Sequence, residues 1–137
     1  MENTQIVRAF MKHLDEFMED MLRVYPDNKD ILRGKLYFNT IRKANPSKMV
    51  KAWKNNLAIP FEKELANINN ETIELILSIN YEKQIGVAKE SLNVKDAASL
   101  VERMKDLLKV AREESEDNAL KALTYIVNLC KISKLYN

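Results

Sequence analysis

Apolar residues recur three and four positions apart along most of this chain, the period of helices that bury one side. Ile6, Phe10, Leu14, Phe17, Met21 and Val24, with Val7, Met18, Leu22 and Tyr25 alongside, make a wide stripe. They predict a first helix near residues 4 to 24, with the opposite charges Glu19/Arg23 and Lys12/Glu16 one turn apart on its wet side. Pro26 ends it, because proline disfavours helical geometry in the residue before it.

Asp27 is read as the cap of a second helix, whose pattern runs through Ile31, Leu32, Phe38 and Ile41 to about Ala44. Gly34 inside it costs about 1 kcal/mol against alanine, so either a neighbouring backbone packs close there or the helix is weak. Asn45-Pro46 then starts a third helix: asparagine caps the free amides, and proline at the first position loses no hydrogen bond. Met49, Val50, Trp53 and Leu57 form its buried side, and Lys48, Lys51 and Lys54 the opposite arc. Pro60 interrupts it, and Phe61 to Ile68 are expected to add a helical turn or two.

Asn69-Asn70 reads as a loop before a short helix through Ile73, Ile76 and Leu77. From Asn80 to Leu92 the period fades, and Tyr81, Ile85, Gly86 and Val87 suggest a loop packed over the core. It returns from Asn93 through Val94, Leu100, Val101, Met104, Leu107, Leu108 and Ala111 as a long helix. The polar run Glu113 to Asp117 marks a turn into a last helix with Leu120, Leu123, Ile126, Val127 and Cys130 on its core side, and acidic residues there favour a helix start. The fold expected is all-α, a compact bundle of about six helices ending in a long antiparallel helical hairpin. It forms one domain over residues 1–137, with 1–68 and 93–137 as the two subdomains the irregular middle would allow.

Composition agrees and narrows the function. Two glycines and three prolines are too few for the turns of a β-sandwich or barrel. A single cysteine, Cys130, excludes an intramolecular disulfide and a multi-cysteine zinc site, and it supports the expectation of a protein that is intracellular or assembled inside the cell. No apolar run approaches the roughly 18 residues needed to cross a bilayer, and the acidic start Met1-Glu2-Asn3 does not read as a secretion signal. Membrane insertion is not expected.

The net charge of +2 is small, but its distribution is uneven. Residues 27 to 60 hold eight basic side chains (Lys29, Arg33, Lys35, Arg42, Lys43, Lys48, Lys51, Lys54) against Asp27 and Asp30, a local charge of +6. Residues 1 to 26 carry −2. Arg33, Lys35, Arg42, Lys43, Lys48, Lys51 and Lys54 are therefore the candidate partner-binding residues, suited to an acidic protein surface. A nucleic acid is the alternative partner, with lysines on phosphates and a helix–turn–helix around Asn45-Pro46. Trp53 shares its spacing with core residues, which argues against a base-stacking role.

Catalytic candidates are thin. His13 and Cys130 are the only residues of their kinds and would both be needed for a nucleophilic pair, yet Cys130 falls on an apolar stripe. Asp15, Glu16, Glu19 and Asp20 cluster on one helix, but the Glu-x-x-His partners of a di-iron bundle are missing. No phosphate loop or Gly-x-Ser-x-Gly elbow occurs. No enzyme activity, metal or cofactor is expected.

The segments Phe17-Met18-Glu19-Asp20-Met21-Leu22-Arg23-Val24-Tyr25-Pro26-Asp27, Ile41-Arg42-Lys43-Ala44-Asn45-Pro46, Trp53-Lys54 and Ile59-Pro60-Phe61-Glu62-Lys63-Glu64-Leu65 together resemble small helical proteins of nucleocytoplasmic large DNA viruses. The shared features are an acidic-aromatic helix ending in a Tyr-Pro turn, an Asn-Pro cap, a tryptophan in the following helix and a Pro-Phe restart. They cover the first half of the chain, while residues from Glu71 onward carry no resemblance. The resemblance implies a virion component, such as a minor capsid protein, found in the infected host cytoplasm and the particle and contacting other virion proteins. A helical regulator that sequesters a host protein is the remaining alternative.

Overall fold

Side-chain caps set where the helices of this chain begin. In a computed structural model, which describes residues 2–79 and 94–137 and only the backbone of 94–98, six α-helices and no strand are found among the described residues. Helix α1 (Asn3–Val24) opens with a capping box in which the Glu2 backbone N–H donates to the Gln5 side chain at 3.2 Å. Helix α2 (Lys29–Ala44) is capped by Asn28, whose Oδ1 accepts from the backbone N–H of Asp30 at 2.9 Å and of Ile31 at 3.2 Å. The cap is thus one residue later than the Asp27 expected from sequence, since the helix starts after Asn28 and only that side chain reaches the free amides.

Asn45 caps α3 (Pro46–Trp53) as anticipated, accepting from the Lys48 N–H at 3.2 Å. The third helix does not continue as α-helix to Pro60. Lys54–Ala58 form a π turn, closed by Ile59 N–H donating to the Lys54 carbonyl five residues back at 2.9 Å. The wider turn places Asn56, Leu57 and Ala58 together in the interior and leaves Ile59 exposed. Asn56 stays satisfied there by donating to the Ala52 carbonyl at 2.8 Å.

A 3-10 turn (Glu64–Ala66) buries Leu65. Helix α4 (Asn70–Ser78) follows, capped by Asn69, with the Thr72 hydroxyl donating to the carbonyl of Asn67 at 2.6 Å. The loop expected over Asn80 to Leu92, and Asn93, lie outside the described residues. Helices α5 (Val94–Glu114) and α6 (Glu116–Lys134) are separated by Ser115 alone, whose hydroxyl accepts from the Asn118 N–H at 3.0 Å. Most of the acidic run expected in the turn is therefore helical.

Helix α6 packs along α5 and α1, α2 lies along α5, and α3 with its π turn closes against α6. Trp53 is fully buried, edge-on to Phe10 with ring centroids 5.5 Å apart and beside Phe38 at 6.2 Å. Truncating such a residue to alanine costs about 3–5 kcal/mol. No helix among the described residues is long and apolar enough to cross a membrane.

Gly34 faces α5, and a Cβ there would meet the Leu107 side chain at 3.5 Å, an ordinary contact with no backbone in the way. Its flexibility therefore weakens α2 without a packing need. Gly34→Ala is expected to stabilise the protein by about 0.5–1 kcal/mol, read as a higher urea midpoint at unchanged slope.

Candidate functional site

Helix α2 sends Ile31, Gly34 and Phe38 into the core. Its opposite side holds Leu32 and Leu36, 46% and 69% exposed, one turn apart. Lys29, Arg33 and Lys43, all exposed, share that outward side by helical spacing, giving an apolar strip edged by cations. Sequence reasoning placed Leu32 in the core pattern and assigned Leu36 no role. The signal was present: Leu36 lies five residues after Ile31 and two before Phe38, which puts it opposite both on a helix.

The seven basic residues expected to form one surface are distributed over three places. Arg33 and Lys43 are on the outward side of α2, with Arg33 3.7 Å from Asp30. Lys35 and Arg42 turn toward α1 and line a groove between α1 and α2. Lys48 is exposed at the start of α3, but Lys51 and Lys54 are engaged with the end of the chain. The Lys51 ammonium lies 5.6 Å from the Tyr136 ring centre, and Lys54, read from sequence as projecting outward, is half-buried and donates to the Tyr136 carbonyl. Asn3 and Asn137 complete this clasp with paired hydrogen bonds of 3.1 and 3.0 Å. Contacts over such sequence separations leave no local pattern to read.

The α1–α2 groove encloses about 340 Å³. Leu14, Met18 and Leu22 of α1 and Phe38 of α2 supply its apolar lining; Asp15 and Glu19 stand on one wall, Lys35, Asn39 and Arg42 on the other. Arg42 donates to Asp15 across the groove at 2.7 Å. Among the described residues neither Glu19 nor Lys35 takes part in an ion pair within 4.0 Å. Asp15 and Glu19 are exposed, as the solvated helix face read from sequence requires, and they also edge this groove.

Two smaller features carry charged groups. A cleft of about 110 Å³ at the end of α1 is lined by Phe17, Tyr25, Asn118 and Tyr125 among others. Tyr125 stacks on Phe17 at 4.9 Å and donates to Asp20, and burial, then that carboxylate, pushes its hydroxyl up to about 12. Between α4 and α5, Lys105 donates to the Ile79 carbonyl at 2.9 Å and Arg112 pairs with Glu74, so these cations serve packing. Asp106 nearby is raised above the usual carboxylate range by burial, against the pull of Arg103.

His13 and Cys130 occupy different surroundings. His13 is half-buried beside Glu16 at 3.7 Å and the Tyr125 ring at 5.2 Å. Cys130 is buried in the core, and desolvation pushes its thiol up to about 12, although the Trp53 indole N–H favours the charged sulfur. No well-formed hydrogen bond holds that N–H. Of the four clustered carboxylates, Asp15 serves Arg42, Glu16 faces His13 and Asp20 accepts from Tyr125 and Arg23. Among the described residues no group of three or more His, Cys, Asp or Glu is placed to hold a metal ion. Compared with known protein families, curated proteins and solved structures, the chain matches none.

Cys130 and Tyr125 both have raised values, so each is neutral in the fold at pH values where the unfolded chain begins to ionise. Their contribution is complete below about 9 and is lost as pH climbs toward 12. Thermal midpoints are expected to fall steadily above pH 9, and Cys130 should react with a thiol reagent at pH 8 only after denaturation. Rapid labelling of the folded protein would contradict its placement.

Proposed function

We propose that this protein is a non-enzymatic viral structural or assembly component, a minor capsid or virion protein that works by docking to acidic surfaces of other virion proteins. The observation that carries the reading is the outward side of α2, where Leu32 and Leu36 stand in solvent between Lys29, Arg33 and Lys43. Exposed leucines at the centre of a patch supply desolvation energy, and the cations around them select acidic partners and speed encounter. A second copy of the chain is a poor symmetric partner for this side, since Lys29, Arg33 and Lys43 of the two copies would face each other.

The viral assignment draws on the sequence resemblance in the first half of the chain, and the docking assignment on the α2 geometry. Nucleic-acid binding is less favoured because Lys51 and Lys54, two of its phosphate-contacting candidates, are held by Tyr136. Host-protein sequestration would use the same exposed leucines but would leave the chain outside the particle.

Mass spectrometry of purified particles is expected to find the protein, and Leu36→Glu should deplete it severalfold while leaving its thermal midpoint unchanged, because a charge at the centre of a docking patch costs more than about 1 kcal/mol of binding. Absence of the wild-type chain from particles would defeat the proposal.

A further inference from the structure

We infer that α2 is itself the docking helix, and that the partner protein receives its outward side lengthwise in an apolar groove whose rim carries carboxylates. The inference rests on the docking reading of α2 and names what the partner must present there. By helical spacing Lys29, Leu32, Leu36, Thr40 and Lys43 fall within one narrow strip along α2, and all five are exposed. The three central positions span about 12 Å over successive turns, and the two lysine positions stand about 21 Å apart along the axis. A ridge with anchors four residues apart is what a helix offers to a groove.

The ridge is suited to being covered. Leu32 and Leu36 are 46% and 69% exposed, so the apolar surface at its centre is open and not spent in the core. The Thr40 hydroxyl donates to the Leu36 carbonyl at 2.8 Å, so a partner can cover it without leaving a donor unmet, and its methyl group extends the apolar row. Ile31, Gly34 and Phe38 hold the other side of α2 in the core, so the ridge is formed before a partner arrives and costs little further ordering.

Charge selects the groove. Lys29 is the first residue of α2, where the helix dipole opposes a cation, so its charge does not serve the helix it begins. Lys43 stands at the other end. Arg33, on one flank, is exposed and lies 3.7 Å from an equally exposed Asp30, a contact too weak to withhold it from a partner. The rim that meets these cations is therefore acidic at both ends and along the Arg33 flank. On the opposite flank Asp15 and Glu19 stand beyond Lys35 and repel such a rim, so the groove approaches from the Arg33 side.

The test places a photoreactive amino acid at Leu36, at Thr40 or, as a control, at Lys48 of the full chain, and maps its crosslinks in purified particles by mass spectrometry. Crosslinks from Leu36 and Thr40 are expected in one segment of one protein, where apolar residues alternate with Asp and Glu. Lys29→Glu, Lys43→Glu and Thr40→Glu should each deplete the chain from particles about threefold, while Thr40→Val and Lys48→Glu leave it at wild-type level. These positions face solvent, so circular dichroism should show unchanged folding. Changing the crosslinked carboxylates of the partner to lysine should recover Lys43→Glu, which a purely structural role for Lys43 would not produce.

Depletion by Leu36→Glu alone, with Lys29→Glu, Lys43→Glu and Thr40→Glu incorporated normally, would overturn the lengthwise groove and leave docking on α2 standing. Crosslinks from Leu36 and Thr40 scattered over several proteins would do the same. Crosslinks to lipid or nucleic acid in place of protein, or normal incorporation of every variant including Leu36→Glu, would remove the docking reading and this inference with it.

Discussion

The burial of α6 is the constraint on which the rest of this structure depends. Its interior residues, Ala119, Ala122, Leu123, Ile126, Val127, Leu129, Cys130 and Ser133, cover roughly half of the helix circumference. A face that broad needs several neighbours, and α1, α3 with its π turn, α4 and α5 supply them. Small residues at Ala119, Ala122, Cys130 and Ser133 permit close approach, and Ser133 avoids a desolvation penalty by donating to the Cys130 carbonyl at 2.8 Å. Bulk beside it comes from Trp53, which lies against Cys130, and from Phe10, edge-on to Trp53.

With most of the apolar stripes consumed by that core, much of the surface outside residues such as Leu32 and Leu36 is left to charges that contribute little to folding. Pairs such as Arg23–Asp20 and Arg33–Asp30 are exposed on both sides, and pairs of this kind are worth about 0.2–1 kcal/mol at most. The Arg42–Asp15 pair differs in position more than in strength: it joins two helices and sets the walls of a groove.

What could be read from sequence follows the range of the interactions concerned. Helix count, the Asn45-Pro46 start and the burial of Trp53 and Cys130 were legible because period and capping are local. The Asp27 to Asn28 shift of the α2 cap was not, since both side chains have capping oxygens and the choice depends on where the first turn begins. The π turn at Lys54–Ala58 was invisible because one extra residue per turn resembles a slightly irregular α pattern. The groove walls and the fate of Lys51 and Lys54 depend on tertiary neighbours, so composition correctly marked the basic segment but joined three separate places into one.

That separation bears on how one small domain can discriminate among partners. Lys51 and Lys54 lie against the ring and carbonyl of Tyr136, which keeps their charge but places it near the chain's end, apart from the cations of α2. The acidic residues of α1 then lie beside a basic α2 instead of facing a uniform positive field, and the groove runs along the boundary between them. A polyanion gains little from such a boundary, because half of what it meets repels it. An acidic protein surface that reaches only the outward side of α2 avoids that repulsion, which is why protein docking is proposed in preference to nucleic-acid binding.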